Sequence, residues 1–115
     1  MAGTNTRGKK RIMYIEHKGI DGIEGSRKIC WVEISKTGRS FHYEGKTLGK
    51  VKGGFKHNCI DEETGDLYWV SGPKKNGGDQ LYGRGVVEID PDAREEYWMN
   101  IRKKPENINH SKYQS

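Results

Sequence analysis

Between residues 11 and 89, short runs of alternating apolar and polar residues are separated by turns that contain glycine. Alternation with a period of two is the pattern of a β-strand, and the close spacing of the runs indicates antiparallel hairpins. The predicted strands span residues 11–17, 28–35, 40–44, 47–51, 55–60, 67–70 and 86–89. A chain of this kind can bury its strand faces in a small barrel or sandwich.

Two of the predicted turns carry specific signals. Gly38, in the turn between the second and third strands, can adopt a positive φ that returns the chain into a hairpin. The segment from Glu62 to Gly65 connects two further strands in the same way. The strand over 47–51 is expected to lie at an edge of the sheet.

A helix is predicted from about residue 91 to residue 102. Asp90 can cap it, and Pro91 occupies the first helical position, where a missing N–H costs nothing. The residues expected on its buried face, at a spacing of four, are Ala93, Tyr97 and Ile101. The fold class predicted is therefore mainly β: a small five- or six-stranded, partly open antiparallel barrel, SH3-like or OB-like, with one C-terminal helix.

The chain of 115 residues has the size of one domain. Residues 1–11 are rich in cations and contain no acid, so they predict a disordered basic arm. The domain is expected over 12–104, and 105–115 is expected to be a mobile tail. The segment 71–85, which is rich in glycine and lysine, predicts a long exposed loop.

The charge balance favours a polyanionic or acidic partner. Lysine and arginine number 21 against 16 acids, which gives a net charge of +5. The two cysteines, Cys30 and Cys59, show no close pairing and fit a reducing compartment. No signal peptide or membrane span is visible, so the expectation is a cytoplasmic protein with no membrane partner and no cofactor.

Several stretches of the sequence resemble a known family. They are Ile34-Ser35-Lys36-Thr37-Gly38-Arg39, Gly54-Phe55-Lys56, Thr64-Gly65-Asp66-Leu67-Tyr68-Trp69-Val70-Ser71-Gly72-Pro73-Lys74-Lys75, Val87-Glu88-Ile89-Asp90 and Arg94-Glu95-Glu96-Tyr97-Trp98. Together they resemble a family of short bacterial proteins without an established function, over residues 12–103. The resemblance implies a bacterial protein and assigns no catalytic or binding residues.

Members of that family often bear the automatic label of 1-deoxyxylulose-5-phosphate synthase, a thiamine-diphosphate enzyme. Such an enzyme needs several α/β domains to bind its cofactor and metal, whereas this chain has room for one small β core. The sequence also contains no Gly-Asp-Gly motif for the diphosphate and metal. We therefore expect no synthase activity, and the chain is predicted not to be an enzyme.

The leading functional hypothesis is a small binding module that contacts the backbone of DNA or RNA. Lysines and an arginine concentrate in two segments that also hold aromatic residues, and small barrels bind single strands with such combinations. The predicted phosphate contacts are Lys46, Lys50, Lys52, Lys56, Lys74, Lys75 and Arg84, and the predicted stacking residues are Tyr43, Phe55 and Tyr82. Specificity would be slight, because cations on phosphates do not read the base sequence.

The composition has a second explanation, in which lysines solvate strand edges and aromatic residues form the core. The alternative function is a protein–protein interaction or accessory subunit. It would use the edge strand, the acidic hairpin turn with Glu62 and Glu63, or the helix face with Trp98, Arg94 and Arg102.

A site built from His42, His57 and Cys59 is a minor third possibility. His57 and Cys59 alternate onto one strand face and could supply a thiol and a base, or metal ligands. A structural metal site normally has two closely spaced ligand pairs, and here there is one. The expectation is therefore that Cys59 is a buried core residue and that the chain holds no metal.

Overall fold

A computed structural model of the protein describes residues 7–19, 25–52, 57–80 and 85–115. The strands in these residues are β1 (Arg7–Gly19), β2 (Arg27–Ser35), β3 (Ser40–Tyr43), β4 (Lys46–Lys50), β5 (Cys59–Asp61), β6 (Leu67–Ser71), β7 (Val86–Ile89) and β8 (Lys112–Gln114). The helical segment α1 covers residues 91–101. It consists of a 3-10 turn at Pro91–Ala93, an α-turn at Arg94–Glu96 and a π-turn at Tyr97–Ile101. A separate 3-10 turn spans Pro105–Asn107.

The first six strands form a closed antiparallel barrel. Each strand pairs with the next along the chain, and the long β1 pairs with both β2 and β6. The predicted fold class, a mainly β chain with a small six-stranded barrel, is confirmed. The barrel is closed where the sequence predicted a partly open one, and its up-and-down order differs from the Greek key of an OB-fold. Because β4 pairs with β3 and β5, it is not the edge strand that was predicted.

Tight turns make strands that are consecutive in the chain neighbours in the sheet. Glu44 and Gly45, with φ of 49° and 77°, connect β3 to β4 in the manner of a type I′ turn. Gly65, with φ of 82°, lies in the turn between β5 and β6. In the same turn, Asp61 Oδ1 accepts the N–H of Glu63 at 2.9 Å. The two hairpins predicted from Gly38 and from the 62–65 turn are confirmed.

Alternate residues of the barrel strands point inward and form the first core. The buried members of this core are Met13, Ile15, Cys30, Val32, Phe41, Tyr43, Leu48, Cys59, Tyr68 and Val70. Both cysteines are free thiols that are fully buried here. The barrel interior is thus filled by side chains in its middle layer.

A second core lies outside the barrel, against the outer faces of β1 and β2. Its buried members are Ile12, Tyr14, Ile29, Val87, Ile89, Ala93, Tyr97 and Trp98. β7 pairs in parallel with β2 and antiparallel with β8, and α1 follows β7. The predicted helix is therefore present, with Ala93 and Tyr97 on its buried face. Asp90 makes no capping hydrogen bond and instead lies 3.5 Å from Lys28 Nζ.

The first strand begins earlier in the chain than predicted. β1 begins at Arg7, so residues 7–11 belong to the sheet, and residues 1–6 lie outside the described part of the chain. Gly8 makes this pairing possible, because a Cβ at that position would lie 1.6 Å from the Ile34 carbonyl oxygen. The domain therefore starts before residue 12.

The C-terminal segment 105–115, which was predicted to be a mobile tail, is part of the fold. β8 pairs with β7, and Trp98 Nε1 donates to the His110 carbonyl at 3.0 Å. Ser115 Oγ accepts the N–H groups of Asp79 and Gln80, both at 3.1 Å. The segment is also held by Tyr113, whose ring stacks on Tyr97 with 5.4 Å between centroids. Polar contacts and one stacked ring produce no periodic apolar pattern, which explains why the sequence did not mark the segment.

The loop after β6 was predicted to be exposed, and much of its described part is, including Lys74 and Lys75. The loop is nevertheless tied to the C-terminal segment. Asp79 is only 3% exposed. Its carboxylate accepts the Lys74 N–H and the Tyr113 hydroxyl. No helix in the described ranges is long and apolar enough to cross a membrane.

We predict that Tyr113→Phe lowers the free energy of unfolding by about 1–3 kcal/mol, since it leaves a buried carboxylate without one of its donors. Urea denaturation followed by tryptophan fluorescence measures the change. Lys112→Ala, an exposed position on the same strand, is the matched control and should change stability by less than about 0.5 kcal/mol. Equal stability of Tyr113→Phe and wild type would contradict a structural role for this hydrogen bond.

Candidate binding sites at the two ends of the barrel

The inner faces of the barrel strands are apolar in the middle and polar at both ends. On β1, the alternation that places Met13 and Ile15 in the core continues to Arg11 at one end and to His17 at the other. Both of these residues line surface clefts. Each end of the barrel is therefore a candidate binding surface.

One end of the barrel, at which β1 begins, carries a cluster of cations. We call it the basic end. Its members are Lys9, Arg11, Lys36, Arg39, Lys50 and Lys52. Lys9, Arg11 and Lys36 line a groove of about 570 Å³ together with Ile34. The Lys50 amide donates to the Arg39 carbonyl at 2.9 Å, which places the end of β4 beside the turn between β2 and β3.

The cations of the basic end are exposed and have no acidic partners. None of the six forms an ion pair with any described residue. Lys50 Nζ lies 5.0 Å from the centroid of the Phe41 ring, so its stem covers the barrel core while its ammonium group faces solvent. Among the residues that the structure describes, the basic end thus presents six exposed cations that no acid neutralises.

The opposite end, the polar mouth, combines cations, acids and a phenol. Its members are His17, Lys28, Tyr43, Lys46, Asp61 and Asp66, one from each barrel strand or from the residue just before it. They surround a cleft of about 280 Å³ whose inner wall includes Ile15 and Tyr68. The mouth is therefore a concave site with an apolar base and a charged rim.

One hydrogen bond and two ion pairs organise the rim of the polar mouth. His17 Nε2 lies 2.9 Å from Asp66 Oδ2, and the His17 ring packs against Tyr68 with 4.8 Å between centroids. Lys28 Nζ lies 3.7 Å from Glu44 and 3.5 Å from Asp90. Lys28 is therefore neutralised by two carboxylates.

The Tyr43 hydroxyl is buried in the polar mouth without a hydrogen-bond partner. Burial raises the pKa of Tyr43 far above its usual range, and nearby negative groups, among them Glu44, raise it further. Burial also raises the pKa of Tyr68, and the charges of Asp61, Asp66 and Glu44 act in the same direction. Both phenols keep their protons at neutral pH, and the potential at Tyr68 is negative.

The structure separates the residues that were predicted to bind nucleic acid. Lys50 and Lys52 lie at the basic end, whereas Lys46 lies at the polar mouth. Lys74 and Lys75 are exposed in the loop that follows β6. Phe55, Lys56, Tyr82 and Arg84 lie outside the described residues.

The prediction that Tyr43 stacks on a base is wrong. Only 9% of this side chain is exposed, and its ring belongs to the barrel core. Inward and outward positions of β3 alternate, and position 43 falls on the inward series with Phe41. A ring held in this way is not available for stacking.

The prediction that the helix face with Trp98 forms a protein interface is also wrong. Trp98 is only 2% exposed. Arg94 Nε donates to the Ile89 carbonyl at 3.1 Å, and the Arg102 guanidinium lies 5.1 Å from the Trp98 ring. These side chains hold α1 on the outer core, because the face that carries them is turned toward β7 and β8. The acidic turn with Glu62 and Glu63 is exposed, as that alternative requires.

Sequence reasoning missed four of the six cations of the basic end. Lys9 and Arg11 were assigned to a disordered arm, and Lys36 and Arg39 were assigned only to a turn. The signal that could have identified Arg11 is its position in the inward series of β1, two residues before Met13. For the turn residues no local signal exists, because their proximity to Lys50 depends on the pairing of β3 with β4.

A second groove adjoins the basic end on the outer surface. Lys10, Arg11 and the acid Glu96 line it together with Trp31, whose side chain is half-buried, and Pro73. Trp31 Nε1 donates to the Asp92 carbonyl at 2.9 Å, which fixes the indole in place. An aromatic face thus lies beside two cations, at a position that the sequence did not mark as functional.

The residues of the proposed thiol or metal site are not brought together. Cys59 points into the barrel, whereas His42 is exposed on the outer face of β3 opposite Thr47. Burial raises the pKa of the Cys59 thiol to about 11, partly offset by the charge of Lys50. The expected core position of Cys59 is confirmed.

Comparison with known proteins does not assign either end of the barrel. No protein-family model, curated protein or solved structure matches this chain. The resemblance to short bacterial proteins therefore stays a prediction.

We predict that DTNB labels the folded protein very slowly at pH 8. A thiol with a pKa of about 11 has only about 0.1% thiolate at that pH, against about a quarter for an ordinary cysteine. Absorbance at 412 nm should show labelling at least about 100-fold slower than in denaturant. Rapid labelling of the native protein would show that Cys59 or Cys30 is reactive and would reopen the enzyme hypothesis.

Proposed function

We propose that this protein is a small binding module that contacts the backbone of nucleic acids through the basic end of its barrel. The observation that carries the proposal is a group of six exposed cations at one end of the barrel. Three of them line a groove, and none has an ion-pair partner among the described residues. Clustered positive charge of this kind attracts phosphates and releases their counterions on binding.

Because the barrel is closed, protection of a free strand edge does not account for Lys50. Lysines on an open edge strand prevent aggregation by edge pairing. β4 has a partner on each side, so Lys50 protects no free edge. Its position above Phe41 directs the ammonium group outward at the end of the barrel, where it adds to the potential of the groove.

The two ends of the barrel differ in charge, which supports one orientation toward a polyanion. The turn beyond the polar mouth carries Asp61, Glu62, Glu63 and Asp66. A phosphate backbone is repelled by this turn and attracted by the basic end, so the protein would approach with the start of β1 foremost.

Binding of this type has little sequence specificity. Cations on phosphate oxygens position a protein without reading bases. Trp31, beside Lys10 and Arg11, supplies an aromatic face against which an unpaired base could stack. A preference for single strands is thus expected over a preference for a particular sequence.

The test is a fluorescence anisotropy titration of labelled single- and double-stranded DNA and RNA at several salt concentrations. Wild-type protein should bind in a salt-dependent manner. Replacing both Lys50 and Lys52 with Met should reduce the slope of log K against log salt by about 1.4 for single strands and about 1.8 for duplexes, if each contacts one phosphate.

Lys46→Met is the matched control, because it removes one lysine from the same strand at the opposite end of the barrel. Its salt slope should equal that of wild type. Absence of binding at low salt would refute the proposal. An acidic protein surface would then be the favoured partner of the basic end. An effect of Lys46→Met half as large as that of the double variant would show that only net charge matters, because the double variant removes two lysines.

A further inference from the structure

The polar mouth has donors and acceptors on opposite sides of its cleft. Tyr43 and Lys46 are directly paired residues of β3 and β4. Asp61 ends β5, and Asp66 immediately precedes β6. Going around the barrel, two hydrogen-bond donors are therefore followed by two carboxylates.

The donor side lacks an acceptor within the described residues. The Tyr43 hydroxyl is buried and makes no hydrogen bond of ordinary length, although the Glu44 carboxylate is near enough to raise its pKa. Such a polar group is costly unless a ligand satisfies it. Lys46 lines the same cleft and makes no ion pair with a described residue. A phenol and an ammonium group side by side are suited to a carboxylate, which accepts from both.

The acceptor side carries negative charge that is held in place. Asp61 is 97% buried, since only 3% of it is exposed, and backbone N–H groups in its own turn fix its carboxylate. Asp66 is fixed by its contact with His17. The raised pKa of Tyr68 has the charges of both acids among its causes, after burial, so the cleft beside them favours a cation.

The other charged groups around the cleft do not change this arrangement. Lys28 is already shared between Glu44 and Asp90. Its ammonium group lies 5.7 Å from the centroid of the Tyr43 ring and leaves the hydroxyl of that ring without a partner. Of the two lysines in the polar mouth, Lys46 is therefore the one that can bind an external anion.

We propose that the polar mouth binds a free α-amino acid, with the ammonium group between Asp61 and Asp66 and the carboxylate on Lys46 and the Tyr43 hydroxyl. The side chain of the ligand would lie against Tyr68 and Ile15, which form the apolar wall of the cleft. The volume of about 280 Å³ is close to the lower limit of about 300 Å³ for small-molecule pockets, so it suits a ligand of this size.

This site is independent of the nucleic-acid proposal. It lies at the opposite end of the barrel and shares no residue with the basic end. One activity can therefore be lost without the other.

The experiment is a titration of the full-length protein, followed by two-dimensional NMR, with L-leucine and L-phenylalanine. Phenethylamine and 3-phenylpropanoate are the matched probes, because each keeps the ring of phenylalanine and lacks one of its two charges. We expect saturable shifts in the residues of the polar mouth with the amino acids, and at least about tenfold weaker binding of either analogue.

Two variants test the donor side. Tyr43→Phe removes only the hydroxyl and keeps the ring in the core, and Lys46→Met removes only the charge. Each should weaken amino-acid binding about tenfold or more. Lys50→Met, on the same strand at the basic end, should bind the amino acid as wild type does.

Two outcomes would overturn the proposal. One is no saturable shift with either amino acid up to about 10 mM. The other is equal affinity for phenylalanine and for both singly charged analogues, which would show that the cleft accepts the ring and does not recognise the zwitterion. Nucleic-acid binding by the same sample reports separately on the function proposed for the basic end.

Discussion

The pairing of β1 on both of its edges is the constraint on which the rest of the structure depends. Through β2 and β6 it closes the barrel, and its two faces serve two different cores. On the outer face, the buried Glu16 accepts hydrogen bonds from Tyr14 at 2.7 Å and from Lys18 at 2.6 Å. A buried carboxylate requires such partners. A shift of β1 by one residue would exchange its faces and destroy both cores together.

Closure of a barrel from short strands also decides where polar residues lie. Strands such as β3 and β4, with four and five residues, supply only a few inward positions. The middle layer of the barrel is filled by large side chains such as Phe41 and Leu48. The positions beyond this layer meet solvent, so they are polar, and the barrel acquires two ends of different chemistry. This division explains how a chain with 31% hydrophobic residues forms two cores and still presents two charged surfaces.

The strands and hairpins were predictable because their signals are local. Alternation marked the barrel strands, and Gly38, Gly45 and Gly65 have the positive φ that their turns require. The last strand could not be found in this way. Lys112–Gln114 is held by backbone pairing, by polar contacts to distant residues and by the stacking of Tyr113 on Tyr97. None of these leaves a periodic pattern. The extent of β1 was missed for a related reason, since its first residues are cationic and gain their partners only from β2.

The candidate sites were predictable only in part, because a count of lysines along the chain does not give their places in space. Lys46 and Lys50 are four residues apart and share the inward face of β4. A strand rises about 3.3 Å per residue, so this spacing places them about 13 Å apart, at opposite ends of the barrel. Conversely, Arg11 and Lys36 are distant in sequence and line one groove because β1 pairs with the end of β2.

The sequence by itself determined the existence of the first seven strands, the turns between them, the helix and the excess of positive charge, since each of these follows from residue types at short range. The tertiary structure alone decided that the barrel is closed, that Tyr43 and Trp98 are buried, and which charged side chains meet. The physical reason is that closure and strand register are set by hydrogen bonds between residues far apart in the chain. Those bonds select which cations remain without an acid and which phenol remains without a partner.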